Sequence, residues 1–246
     1  MSSAQGPEMI QSCSDCALRA VRLFCDLPPQ ALEDLDRIKY SSLYSKGSVL
    51  FVEGQMPSGV FILCTGRAKL TTRLADGRSR ILRVAEPGEL LGLSATISGK
   101  PYEATAEILD LCQVNFINGE GFLSFLLDHG QACLNVARHL SFDLRAVYHR
   151  ARALMAPLTA SEKLSRLLLD WAEERGESTD RGIKLKAALT QEEIAQFIGT
   201  SRETVTRLLG ELKRKEVIDK KGSNMVIRNR TALEERAGCD AYHRDR

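Results

Sequence analysis

Two groups of residues could do chemistry by their type and spacing. The first is Arg202, Glu203, Thr206 and Arg207, set in a stretch where Val205, Leu208, Leu209 and Leu212 recur at intervals of three and four. Helical spacing places the polar four on an outer face and the apolar four on an inner one. Arginine donates two hydrogen bonds to guanine O6 and N7, and glutamate accepts one from cytosine N4, so this face suits the base edges of a DNA major groove. Glu203 and Arg207 also stand four apart, so an ordinary ion pair on a solvated face is the competing reading. The second group is cysteine. There are seven, at positions 13, 16, 25, 64, 112, 133 and 239, and the first two form a Cys-x-x-Cys pair. In a reducing compartment such a set points to buried thiols, metal ligands or redox chemistry rather than a disulfide framework.

The elements that must position the first group are legible. Thr190-Gln191-Glu192-Glu193 is a capping-box pattern, in which a hydroxyl and a carboxylate satisfy free backbone N–H groups at a helix start. Ile194, Ala195 and Phe197 belong to that helix, Gly199 supplies a turn, and Ser201 caps the next helix. The product is helix, tight turn, helix. Downstream, Val217-Ile218 and Met225-Val226-Ile227 flank Lys221-Gly222-Ser223-Asn224, a β-hairpin wing. Lys213, Lys220 and Lys221 are expected to touch phosphates, which position a protein on DNA without reading sequence. From Ala187 to Arg230 nine Lys or Arg face six Asp or Glu, a balance that permits nucleic acid.

From Lys46 to Cys112 glycines punctuate short β-rich runs, as expected of a small antiparallel barrel or roll, with a hairpin turn at Asp76-Gly77. After about Glu120 the period changes. Val136, Leu140, Leu144, Val147, Ala151 and Leu154 form one apolar stripe on a long helix that Pro157 ends or kinks. That stripe needs a partner, either its own barrel or the same helix of a second subunit. A helix follows from about Ala160 to Glu174, and then Arg175 to Arg181 reads as a loop.

A length of 246 residues suits two ordinary domains. The longest apolar runs are too short to cross a bilayer, and Met1 to Glu8 has no signal-peptide pattern, so a cytoplasmic location with no membrane partner is expected. His129, His139, His149 and His243 show no nucleophile or metal pattern, so no enzyme is expected.

With these motifs in place, the chain resembles the CRP/FNR family of bacterial regulators over nearly its whole length. Thr200-Ser201-Arg202-Glu203-Thr204-Val205-Thr206-Arg207-Leu208-Leu209 is similar to the family's recognition helix. Gly47 with Gly54, the Gly66 turn and Gly88-Glu89-Leu90-Leu91-Gly92 resemble its barrel, and residues 130 to 155 its dimerisation helix. The resemblance implies an α+β fold: a cyclic-nucleotide-binding-type antiparallel β-roll, a long dimerisation helix and a winged helix-turn-helix domain. The expected divisions are a cysteine-bearing segment at 1–27, a sensor roll at 28–128, the dimerisation helix at 129–156 and the DNA-binding domain at 157–246. It implies a homodimer on a near-palindromic double-stranded site, with RNA polymerase as a partner, and leaves the half-site open between a TGTGA-like and a TTGA-like core.

The resemblance also bears on the signal. Glu89 matches the glutamate by which cyclic-nucleotide-binding members hold ribose. Tyr102 and Glu103 stand where an arginine and a hydroxyl residue would hold the phosphate, and an acid there repels a cyclic phosphate. Cyclic AMP binding is therefore not expected, and Gly88, Glu89, Tyr102 and Glu103 remain an effector pocket for some other small molecule. Cys13, Cys16 and Cys25 resemble the amino-terminal ligands of oxygen-sensing FNR-type members, with Cys112 as the fourth. Four thiolates can hold a [4Fe-4S] cluster. The same four could hold structural zinc, act as a thiol redox switch, or stand unliganded. Cys64, Cys133 and Cys239 are read as structural or incidental.

Overall fold

The computed structural model describes residues 9–16, 19–155, 158–186, 189–221 and 224–238. The expectations for Pro157, Gly222, Ser223 and Cys239 lie outside the described residues. The chain divides into two compact units, Met1–His149 and Arg150–Arg246.

In the first unit a 3-10 turn at Arg19–Val21 leads to α1 (Pro29–Ile38), whose entry is set by Pro29 at the first helical position. The strands β1 (Tyr40–Tyr44), β2 (Val49–Phe51), β3 (Gly59–Leu63), β4 (Ala68–Arg73), β5 (Ser79–Ala85) and β6 (Leu90–Leu91) follow. Then come α2 (Leu93–Ser98), β7 (Thr105–Ile108), β8 (Cys112–Asn118), α3 (Gly119–Asp128) and α4 (Gly130–Met155), of which residues 130–149 belong to this unit. Two antiparallel sheets result, ordered β1-β8-β3-β6 and β2-β7-β4-β5. Gly77 turns between β4 and β5 at φ 82°, which glycine accepts without a Cβ clash, and the Arg78 N–H donates to Asp76 Oδ1 at 3.0 Å.

Strand parity divides the core in two. Successive strand residues point to opposite faces, so on β3 Phe61 and Leu63 join Phe51, Tyr102, Cys112 and Val114 inside the roll. Val60, Ile62 and the next residue of that face, Cys64, join Phe24, Leu27, Leu32, Leu35, Phe122, Phe125 and Val136 in a second core. β3 is thus buried on both faces and reads as an unbroken apolar run. Leu63 pairs with Val114 in the ladder to β8, which fixes which residues of the two strands share a face.

The apolar stripe of α4 is split between two environments. Val136 is buried and Leu140 partly buried in the second core, so this half packs on its own unit. Leu144 and Val147 are more than half exposed, as are Phe142 and Tyr148, which lie outside the stripe read from spacing. Nothing is described of the Ala151 and Leu154 side chains.

The second unit comprises α5 (Ala160–Arg175), β9 (Glu177–Thr179), β10 (Gly182–Lys186), α6 (Gln191–Ile198), α7 (Arg202–Arg214), β11 (Ile218–Lys221), β12 (Asn224–Ile227) and α8 (Arg230–Arg236). Its sheet runs β11-β12-β10-β9, all antiparallel. The stretch expected as a loop, Arg175 to Arg181, therefore contains a strand. All three side chains of β9 are exposed, so no alternation marks it in the sequence. Among the described residues no helix is long and apolar enough to cross a membrane.

Candidate functional site

The helix-turn-helix is built by local bonds. Thr190 Oγ1 accepts from the Glu193 N–H at 3.2 Å and Glu193 Oε2 accepts from the Thr190 N–H at 2.9 Å, starting α6. Gly199 ends α6 in the left-handed conformation at φ 71°. Ser201 then caps α7 by accepting from the Thr204 N–H at 3.2 Å. Val205, Leu208, Leu209 and Leu212 are buried, which leaves Arg202, Glu203, Thr206, Arg207 and Lys213 exposed on the other side.

The polar face is already organised. The Thr206 hydroxyl lies 2.9 Å from the Arg202 carbonyl oxygen and 2.8 Å from Gln191 Oε1, tying α7 to the first turn of α6. The Glu203 backbone N–H, followed by the Ser201 side chain, holds the Glu203 carboxyl below its ordinary pKa. Arg207 donates to Glu211 at 2.6 Å rather than to Glu203, so the pairing considered from sequence is replaced by one a turn further on. Both are i,i+4 neighbours, and spacing alone does not choose between them. Gln191 and Glu211 are thus positioning partners that sequence reasoning missed. Lys220 is half-buried, and burial pushes its ammonium pKa down. The Lys221 backbone lies in β11, and its side chain is not among those described.

The thiols lie in the first unit. Cys13 and Cys16 bracket a turn closed by the Cys16 N–H donating to the Cys13 carbonyl at 3.4 Å. Asp36 of α1 anchors that turn by accepting from the Cys13 N–H at 2.9 and 3.1 Å and from the Ser12 hydroxyl at 2.7 Å. Lys39 Nζ sits 2.5 Å from Asp36 and 3.4 Å from Cys13 Sγ, with its side chain 5% exposed. Asn115 Nδ2 of β8 lies 3.8 Å from the same sulfur. Cys13 and Cys25 pack against the core that contains Cys64. Burial pushes Cys13 and Cys25 up to about 12, with the neighbouring Cys64 adding to the rise at Cys25. Cys64 rises to about 11 by burial, and Cys16 lies near enough for its charge to raise both Cys25 and Cys64. Arg22 and Lys39 act on Cys25 and Cys64 in the opposite sense.

Cys112 is not with them. It lies in the roll interior, its thiol donates to the Arg67 carbonyl at 3.4 Å, and burial raises it to about 11. The bare Cα of Gly66 makes room for it, since a Cβ there would stand 2.4 Å from the sulfur. Of the expected set, Cys13 and Cys25 pack against one core, and that core also contains Cys64, which sequence reasoning alone reads as structural. Among the described residues no group of three or more His, Cys, Asp or Glu is already arranged to hold a metal ion. Cys133 is exposed on α4.

Each of the four residues expected to form an effector pocket has partners of its own. Tyr102 is buried and stacks on Phe51 at 4.1 Å, while its hydroxyl donates to the Gly59 carbonyl at 2.9 Å and accepts from the Ser58 N–H at 3.1 Å. Phe61 packs next to Phe51, and Phe116 next to Phe61, filling the interior with aromatic rings. Glu103 faces outward and accepts from the Ser94 hydroxyl at 2.7 Å. Glu89 is bound to Arg83 and accepts from the Glu86 N–H at 2.8 Å. Gly88 is required by the amino-terminal segment, because a Cβ there would meet the Arg22 side chain at 2.7 Å.

One hydrogen bond connects the thiol segment to the long helix, and two ion pairs tie neighbouring elements together. Asn135 of α4 donates to the Asp26 carbonyl, one residue beyond Cys25, at 2.9 Å. His129 lies 3.1 Å from Asp34, and Arg83, the partner of Glu89, lies 4.0 Å from Asp143 of α4.

A sensor-type β-roll followed by a long helix, with a separate winged helix-turn-helix, defines the class of two-domain DNA-binding regulators. Residues 42–129 match the cyclic nucleotide-binding domain and residues 162–236 the Crp-like helix-turn-helix domain. The chain belongs to the CRP/FNR family of transcription regulators. It is 28% identical over 250 residues to the transcriptional activator protein FnrL of Cereibacter sphaeroides, covering 96% of this chain and 95% of that protein. It is 25% identical over 226 residues to a CRP-like cAMP-activated global transcriptional regulator of Mycobacterium tuberculosis, covering 91% of this chain and 99% of the relative. A solved CRP-family transcriptional regulator from Thermus thermophilus is similar with a TM-score of 0.67 at 25% identity, covering 80% of this chain and 96% of that one.

Proposed function

We propose that this protein is a homodimeric regulator that reads a near-palindromic DNA site with α7 and senses oxygen or redox state through a [4Fe-4S] cluster held by its amino-terminal cysteines. Two copies of α7 enter successive major grooves about 34 Å apart, the spacing of one helical turn of DNA. The exposed Phe142, Leu144, Val147 and Tyr148 on α4 supply the apolar seam for the second copy. Arg202, Glu203, Thr206 and Arg207 meet base edges, and Lys213 and Lys221 meet phosphates. RNA polymerase is the partner expected at the promoter.

The observation that carries the sensing half is the Asn135 bond to Asp26, with Phe24, Ala132 and Val136 sharing one core. Segment and helix share one buried core and one hydrogen bond, so a change at the cysteine segment acts on the long helix. Binding at the thiols therefore shifts the balance between two dimer states by its differential affinity for them. When bound, the cluster supplies a redox-labile group that oxygen destroys. The chain's own part is to gather thiols, shield them by burial, and set Lys39 and Arg22 beside the charge of the thiolates. The aromatic filling of the roll argues against a second small-molecule signal there, cyclic AMP included.

The test is anaerobic purification followed by iron and sulfide analysis, absorption near 400 nm before and after air, and binding to duplexes chosen from random sequence. Iron with sulfide, a band that air bleaches and sequence preference that falls with it support the reading. Zinc in place of iron, or a metal-free chain with unchanged DNA affinity, overturns the sensing half and leaves the DNA-binding half standing.

A further inference from the structure

We infer that the fourth thiolate beside Cys13, Cys16 and Cys25 is Cys64, and that Cys112 is a packing residue of the roll. This rests on the proposal that the amino-terminal cysteines hold a group, and it concerns which of this chain's sulfurs complete the set.

Strand parity separates the two thiols. β8 presents Gln113 and Asn115 to the amino-terminal segment: the Gln113 side chain exchanges two hydrogen bonds with the Ile10 backbone at 2.8 and 2.7 Å, and Asn115 reaches Cys13 Sγ. Residues one step away, Cys112 and Val114, must then point into the roll, where both are found. Moving Cys112 to the other face would need a one-residue slip of β8, which would reverse every side chain of a strand paired on both edges. Cys64 lies on the neighbouring chain segment, its N–H donating to the Gln113 carbonyl at 2.8 Å, on the face of Val60 and Ile62. Cys13 and Cys25 pack against that face.

The surroundings suit a set of thiolates. Lys39, its side chain 5% exposed, lies 3.4 Å from Cys13 Sγ, the buried Arg22 acts electrostatically on Cys25 and Cys64, and Asp36 fixes the Cys13 turn. Around Cys112 the sulfur is taken up by the Arg67 carbonyl and covered by Gly66. Among the described residues the thiols are not yet arranged to hold a metal ion. Binding a group then draws Cys13, Cys16 and Cys25 toward Cys64, and Cys25 adjoins Asp26, which is bonded to α4.

The experiment compares the full chain with its C64S and C112S variants, each reconstituted anaerobically with iron and sulfide and, separately, loaded with cobalt(II). The readouts are bound iron and sulfide, absorption near 400 nm, and the intensity of the cobalt–thiolate charge-transfer band. C64S is expected to lose the cluster and to weaken the cobalt band, while C112S retains both. Loss in C112S with retention in C64S overturns the assignment. A full chain that takes no cluster but gives a cobalt band sensitive to C64S overturns the cluster reading and upholds Cys64 as a ligand. A chain that takes neither overturns both. Because Cys64 is buried and its substitution could impair folding, the unaltered chain is also alkylated with and without cobalt and its cysteine peptides weighed. Cobalt is expected to slow labelling of Cys13, Cys16, Cys25 and Cys64 and to leave Cys112 unchanged; protection of Cys112 instead of Cys64 refutes the inference.

Discussion

Replacing Asn135 by alanine tests the link between the cysteine segment and the long helix. Asn135 is 1% exposed, and its amide donates to the Asp26 carbonyl at 2.9 Å while its oxygen accepts from Gln131 and Arg138 at 2.9 and 3.3 Å. Gln131 and Arg138 are exposed and can turn to water. Asp26 is exposed as well, so its freed carbonyl can be hydrated, and the full penalty for a buried unpaired acceptor does not apply. The loss is then that of an ordinary net hydrogen bond, about 0.5–1.5 kcal/mol. If the bond forms only in one dimer state, the ratio of DNA affinities between loaded and unloaded protein should shrink about two- to twelve-fold, at about 1.4 kcal/mol per factor of ten. Fluorescence anisotropy on one duplex, with anaerobic and air-treated N135A protein, measures that ratio. Thermal unfolding provides the control, with an expected drop of a few degrees at roughly 2–4 °C per kcal/mol. A lowered melting temperature with an unchanged affinity ratio would show that the bond only packs the helix and that the signal travels elsewhere.

Further outcomes can be measured on the same protein. Arg207→Ala should cost about 1–3 kcal/mol of discrimination at one G·C pair, whereas Lys213→Ala should weaken specific and random duplexes alike and lower the salt slope by about one; equal losses of discrimination in both would remove the assigned roles. Tyr102→Phe removes a buried hydroxyl from Gly59 and Ser58, and should lower stability by about 1–3 kcal/mol in denaturant titration. An unchanged midpoint would contradict the structural role given to that hydroxyl. Phe142→Glu puts a charge into the exposed apolar part of α4 and should convert dimer to monomer in sedimentation; a dimer of unchanged strength would place the interface elsewhere.

The winged helix-turn-helix is legible in the sequence because its determinants are local. The Thr190 box, the Gly199 turn and the Ser201 cap each act within a few residues, and the apolar spacing of α7 names its buried face without reference to the rest of the chain. The roll is readable as a succession of short strands for the same reason. What stays hidden depends on register between distant strands. Whether Cys64 or Cys112 faces the amino-terminal segment follows from Leu63 standing opposite Val114, a pairing that spans the whole roll and leaves no mark in either local sequence. The family resemblance points to Tyr102 as part of a pocket, while its stacking on Phe51 depends on residues about fifty positions away and leaves no mark in the local sequence. Arg207 pairs with Glu211 while Glu203 is engaged at the helix start by its own backbone N–H and the Ser201 side chain.

The central claim is that the outer face of α7 reads base edges in a dimer whose state is set at the thiols. Selection of bound duplexes from a random pool by anaerobically purified protein, repeated after exposure to air, measures it directly. The account predicts a recovered near-palindrome with half-sites one helical turn apart, bound more weakly once the absorption band of the cluster is gone. Recovery of unrelated sequences under both conditions would contradict it.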